Sequence, residues 1–296
     1  MPMETLTAPP RDTIPVRDLL LGCLYRHRAA DTAQLHAMVG AHRYLPYVRR
    51  CLRQLRDEGL VEAAVEARHF NVWALTRRGI SVVSAWPEMT GGPRVARVSP
   101  DGMHRAHALA VTRTALAFLE DARARGDEFS PLDWQPEVMH PLRDGAVDGA
   151  RNLIADAVMR YTQAAPTRSL LRAFIEVDRA TESPERLAGK LITYARYHDS
   201  RPASRLGGGG TPQWQRTYPL FPRVLFVLTN AGPRALRQRT TDLKAMARQH
   251  PLVRGFAERV PTGVAVLEEL EEAGASSPVW TPLLDDSGSS RGWMEL

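Results

Sequence analysis

The chain has 296 residues, 44% hydrophobic and 24% charged, enough for two domains with buried cores and unlike a disordered or fibrous composition. No apolar run approaches the roughly 20 residues that cross a bilayer, and the opening MPMETLTAPPRDTIP lacks the charged-then-apolar order of a signal peptide, so a soluble cytoplasmic protein with no membrane partner is expected. The net charge is +6, with 14 Arg against 9 Asp and Glu in the first hundred residues; this favours a polyanionic partner, while two cysteines, Cys23 and Cys51, are too few for a zinc site or a disulfide framework.

After the Pro-rich leader, residues 16–26 carry Leu19, Leu20, Cys23 and Leu24 on one helical face. Asp31 or Thr32 can cap a second helix over 33–39, which Gly40 ends. Pro46 suits the first turn of a third helix that runs to about Glu58, where Gly59 stops it. On that helix Val48, Leu52 and Leu55 form the core stripe, Arg49, Arg53 and Arg56 a second stripe beside it, and Arg50 points away from the core. Two strand-like runs follow, 60–65 and 71–75, joined by a basic tip with Arg68 and His69. A further helix opens at Thr76.

Three helices and a two-stranded hairpin make a winged helix-turn-helix, here over 14–86. The phrase LRDEGLVE…NVWALTRRG resembles the third-helix-to-wing segment of that family. The resemblance implies that the third helix enters the major groove of double-stranded DNA, with Arg49, Arg50, Arg53 and Arg56 reading or anchoring and Arg68 and His69 at the wing. The alternative is a packing or dimerisation module whose arginines are a solvated face.

Residues 87–101 are rich in Pro and Gly and read as a linker. A long helix over 104–125 places His104 and His107 at i, i+3; a local packing contact is the reading preferred to metal ligation. Strand candidates follow at 134–139, 153–159 and 170–178, with a turn signal at Asp144-Gly145. Ser183-Pro184-Glu185 opens a helix to His198. The continuous apolar run 224–228 fits a strand buried on both faces. A basic helix over 234–250, a last strand at 264–267 and a loosely ordered tail complete the chain. The run Gly207–Gly210 is followed by no Gly-Lys-Ser/Thr, which excludes a P-loop, and reads as a flexible insertion.

On the strand 170–178, Glu176 and Asp178 project from one face. Two carboxylates there repel unless a cation or a proton lies between them. Asp156 precedes them. Lys190 follows, and it is one of only two lysines, with Lys244, among 39 basic residues. Where Arg is the default cation, a Lys near an acidic cluster is a candidate chemical choice. The opposing reading is a set of charges at a strand end paired with Arg172 or Arg179.

The element order of residues 102–284 resembles the core of the PD-(D/E)XK nuclease-like superfamily, giving an expected α+β fold: a winged helix-turn-helix, then a mixed α/β nuclease-like domain, then a tail over 285–296. The resemblance implies that Asp156, Glu176 and Asp178 are metal ligands for Mg²⁺ and that Lys190 is catalytic, with Tyr194 on the same helix face. The pattern departs from the superfamily in two places: Ala155 precedes Asp156 where Pro is usual, and Asp178 stands where Lys is usual.

The phrases HRAHALAVT, ADAVMRY, FIEVDRATES…KLITYARY, PRVLFVLTN and VWTPL together resemble the replication-relaxation family of actinobacterial and firmicute plasmids and other mobile elements. That resemblance implies a DNA transaction with replication or transfer proteins of the same element as partners; a homodimer stays open as an assembly. Three functions stay open: a DNA-binding protein that nicks, a non-enzymatic regulator with a degenerate nuclease fold, and a protein-interaction adaptor.

Overall fold

The computed structural model describes residues 14–40, 42–65, 71–89, 102–142, 151–201, 211–285 and 288–296. The hairpin tip with Arg68 and His69, the Asp144-Gly145 turn, the glycine run and most of the expected linker lie outside the described residues.

Helix α1 (Val16–His27) is followed by a short strand β1 (Ala29–Asp31), then α2 (Thr32–Val39) and α3 (Leu45–Asp57). Asp31 starts α2 with a capping box, its carboxylate accepting from Gln34 N–H while the Gln34 side chain accepts from Asp31 N–H. Strands β2 (Val61–Val65) and β3 (Asn71–Leu75) pair antiparallel, and β1 adds to β3, giving the order β1-β3-β2. The third strand was not expected, because three residues are too few to show a period of two. Helix α4 (Arg77–Ser84) is capped by Thr76. Its Gly79 has a packing cause: a Cβ there would sit 2.1 Å from the Leu60 carbonyl oxygen.

Helix α5 (Gly102–Arg125) leads to a mixed sheet of β4 (Trp134–Pro141), β5 (Asn152–Gln163), β6 (Ser169–Asp178), β7 (Arg223–Leu228), β8 (Thr262–Val266) and β9 (Thr281–Pro282), in sequence order across the sheet. β4, β5 and β6 are antiparallel neighbours, whereas β6, β7 and β8 run parallel. Parallel pairs need crossovers, supplied by α6 (Pro184–Asp199) and by α7 (Pro233–Gln249) with α8 (Pro251–Ala257). Helix α9 (Leu267–Ala273) follows β8 directly.

Two apolar cores flank the sheet. Leu187, Leu191 and Tyr194 of α6, Leu243 of α7 and Phe256 of α8 pack on Phe174, Val224, Phe226 and Leu228. On the other side one continuous cluster joins α1–α4 and α5 to Ile175, Val177, Leu225 and Val227 of the sheet and to Leu267 and Leu270 of α9. β7 therefore contributes to both cores, as its apolar run predicts.

Polar contacts lock the same junction between the N-terminal elements and the sheet. Thr112 of α5 donates to the Ala29 carbonyl at 2.8 Å, and Arg123 donates to the Ala37 and Met38 carbonyls at the end of α2. His27 contacts the Pro131 carbonyl, and Arg28 pairs with Glu137 of β4. The described part of the C-terminal segment is seated where looseness was expected. Trp280 and Arg291 form a β-bridge, and Trp293 is fully buried against Phe118 and Tyr161.

Candidate functional site

β6 presents Phe174, Glu176 and Asp178 toward α6 and α7, while Ala173, Ile175 and Val177 face the opposite core. The two carboxylates therefore share a face, yet they do not share a partner. Glu176 is 1% exposed; its Oε2 lies 2.9 Å from Lys190 Nζ and its Oε1 accepts from Tyr194 O–H at 2.5 Å. Lys190 and Tyr194 are one turn apart on α6, which places both over the same acid. Lys190 also reaches Glu182 Oε2 at 3.6 Å.

Asp178 is held elsewhere. Its Oδ2 lies 2.5 Å from Arg239 of α7, and its Oδ1 accepts from Ala180 N–H at 2.9 Å. Arg239 also donates to the Glu182 carbonyl. The arginine that pairs with Asp178 is thus Arg239, 61 residues away in sequence, and not the nearby Arg172 or Arg179.

Asp156 sits where β5 changes facing. Ala155 packs in the α6–α7 core and Ala157 in the α5 core, although they are two residues apart. Paired residues of β4 resume on either side of Glu137, which has φ +48° opposite this point. Asp156 Oδ2 accepts from the Val177 backbone N–H of β6 at 2.7 Å, and Oδ1 lies 3.1 Å from His107 Nε2 on α5. His107 is therefore the partner of Asp156, while His104 is exposed at the start of the same helix.

The electrostatics follow from these placements. Burial raises the Glu176 carboxyl above the usual carboxylate range; Lys190 opposes that shift and Asp156 adds to it. For Asp156 burial also favours the acid form, but the His107 hydrogen bond, the Lys190 charge and the Val177 N–H together hold it below its ordinary value. Lys190 is partly desolvated, yet the charges of Glu176 and Asp156 raise its pKa and keep it protonated. Asp178 is raised by burial, with Arg239 opposing.

Asp156, Glu176 and Lys190 thus converge with His107, Tyr194 and Glu182, while Asp178 belongs to an adjacent pair. As donors for Mg²⁺ these residues are poorly disposed. Although these side chains are neighbours, among the described residues no three His, Cys, Asp or Glu are arranged so that they could hold a metal ion. The Glu176 and Asp178 oxygens are taken by a lysine and an arginine, where a hard cation needs several free oxygens. The other lysine, Lys244, lies apart in a cleft of about 600 Å³ between α7 and β8 and donates to the Asp285 carbonyl.

On α3, Val48, Cys51, Leu52 and Leu55 are buried, and Arg49, Arg50, Arg53 and Arg56 are all exposed. Tyr44 and Tyr47 are exposed at its start, with the Arg50 guanidinium 5.2 Å from the Tyr47 ring centroid. Among the described residues, Arg49, Arg50 and Arg53 have no carboxylate partner, and Arg56 only a contact of 3.9 Å with Asp57.

Fold and site define a mixed α+β protein in which helices flank a six-stranded sheet carrying a buried carboxylate–lysine cluster. The replication-relaxation family model matches residues 21–212, well over half of the chain, and the protein belongs to that family. No curated protein matches the chain. Among solved structures, one of restriction endonuclease FokI is similar at 10% identity with a TM-score of 0.29, covering 87% of this chain and 43% of that one; at that score the likeness carries no argument. Among the described residues no helix is long and apolar enough to cross a membrane.

Proposed function

We propose that the protein is a DNA-binding factor in the replication or transfer of a mobile element. In this reading the N-terminal helices and hairpin form a winged helix-turn-helix, and the sheet domain is a nuclease-like fold reused as a binding or accessory scaffold. The observation that carries it is the outward face of α3: four exposed arginines backed by a fully buried apolar stripe. A helix of this kind fits the major groove, with guanidiniums on phosphates and guanine edges and Tyr44 and Tyr47 flanking them. The family assignment supports a DNA partner, and the first hundred residues hold most of the chain's positive excess.

The scaffold role rests on the pairing of the carboxylates. Lys190 and Tyr194 occupy Glu176, and Arg239 occupies Asp178. A second reading, Mg²⁺-dependent nicking, draws on one observation: Asp156, Glu176 and Lys190 meet at the end of β6 as a nuclease-like site would require. Duplex binding measured by fluorescence anisotropy, run beside a supercoiled-plasmid nicking assay with Mg²⁺, separates the two. The proposal expects salt-sensitive binding that survives Glu176→Ala and is lost in Arg49→Ala/Arg53→Ala, with equal nicking background in wild type and Glu176→Ala. Nicking abolished by Glu176→Ala would establish the second reading, and absence of DNA affinity at moderate salt would leave a protein-interaction adaptor.

A further inference from the structure

A cleft of about 660 Å³ opens where α1 and the end of α2 meet α5 and the start of the sheet. Arg26, Arg43, Arg123 and Arg160 line it, against the acids Glu88 and Asp133. Arg26 is only 7% exposed; among the described residues its Nε has no hydrogen-bond partner, and its terminal nitrogen makes a long 3.4 Å bond to the Glu88 carbonyl. A buried guanidinium with an idle donor is costly unless something accepts from it.

The neighbourhood adds to that cost. Arg160 stands directly across from Arg172 in the β5–β6 register, and like charges opposed on adjacent strands destabilise a sheet. Burial first, and then the charge of Arg160, lower the pKa of both Arg26 and Arg172. Arg43 and Arg123 are oriented by the carbonyls that end α2, Val39 for the first and Ala37 and Met38 for the second. Four cations are thus held in place around a space lined by only two acids, Glu88 and Asp133.

We infer that this cleft is a phosphate-binding site, separate from the α3 face and from the carboxylate cluster, whose ligand is either a nucleic-acid backbone phosphate or a free phosphate compound. The idle Nε–H of Arg26 and the positive charge around it match the oxygens of a phosphate, which would also relieve the repulsion between Arg160 and its neighbours.

Calorimetric titration of the full chain with inorganic pyrophosphate and with a short single-stranded thymidine oligonucleotide tests this. Arg160 is exposed, so Arg160→Gln is the informative variant. Wild type should bind at least one probe, with affinity about tenfold weaker in Arg160→Gln. Pyrophosphate binding, direct or by competition, assigns a free phosphate ligand; oligonucleotide binding that pyrophosphate does not displace assigns the backbone. The melting temperature of Arg160→Gln should equal or exceed that of wild type, because a repulsion is removed. Binding of neither probe, equal binding by wild type and Arg160→Gln, or a lowered melting temperature would overturn the inference. Because the α3 arginines are left intact in Arg160→Gln, failure here is distinguishable from failure of the winged-helix proposal.

Discussion

Replacing Lys190 by Met isolates the energetics of the buried acid. Glu176 is 1% exposed, and Lys190 is its only cationic neighbour within 4 Å among the described residues. Removing one partner of a buried ion pair costs about 3–5 kcal/mol when the remaining charge cannot escape. Lys190 is 24% exposed, which puts the expected cost at the low end, about 3 kcal/mol. The remaining acid has an escape, because it can take up a proton. Without Lys190, burial raises the folded carboxyl further above its unfolded value of about 4.3. A carboxyl raised on folding binds more protons in the native state, so stability falls as pH rises above the unfolded pKa. Urea denaturation of Lys190→Met should therefore show a loss of about 3 kcal/mol at pH 8 that shrinks below about 1 kcal/mol at pH 5. Glu176→Gln/Lys190→Met should recover most of it, giving a coupling energy above about 1 kcal/mol in the double-mutant cycle. A loss under about 0.5 kcal/mol at pH 8 with no pH dependence would place Lys190 in solvent and refute the pairing.

Two further outcomes follow from burial. His27 and His140 are both held neutral, burial lowering each pKa to about 4; the unfolded chain protonates near pH 6.5, so stability is lost as pH falls from about 6.5 toward 4, by up to about 3 kcal/mol per histidine. Thermal melts of His27→Gln should show a flatter acid limb than wild type, and an identical limb would contradict the burial of His27. Trp293 is fully buried against Phe118 and Tyr161, so Trp293→Ala should cost about 3–5 kcal/mol in chemical denaturation. A cost below about 1 kcal/mol would mean that the C-terminal segment does not complete the core.

Local patterns made much of this legible. The arginine and leucine stripes of α3, the doubly buried run of β7, and the common face of Glu176 and Asp178 all follow from periods of 3.6 and 2. Lys190 and Tyr194 were readable because one helical turn separates them. Partners supplied across the fold were not. Arg239 reaches Asp178 from another crossover helix, and His107 reaches Asp156 from a helix on the opposite face of the sheet. The i, i+3 spacing of the two histidines favoured a local packing contact, and nothing in it names a carboxylate 49 residues on. The arginine cleft gathers Arg26, Arg43, Arg123 and Arg160 from four separate elements or loops. In a chain where nearly every cation is arginine, composition gave no reason to single them out.

The salt dependence of duplex DNA binding tests the central claim most directly, because each phosphate neutralised by a side chain contributes about −0.9 to the slope of log K against log salt. If α3 docks on DNA through its exposed arginines, Arg49→Gln/Arg53→Gln should weaken binding and flatten the slope by about 1–2, while Glu176→Gln leaves both unchanged. A slope and affinity identical to wild type in the arginine double variant would contradict the account.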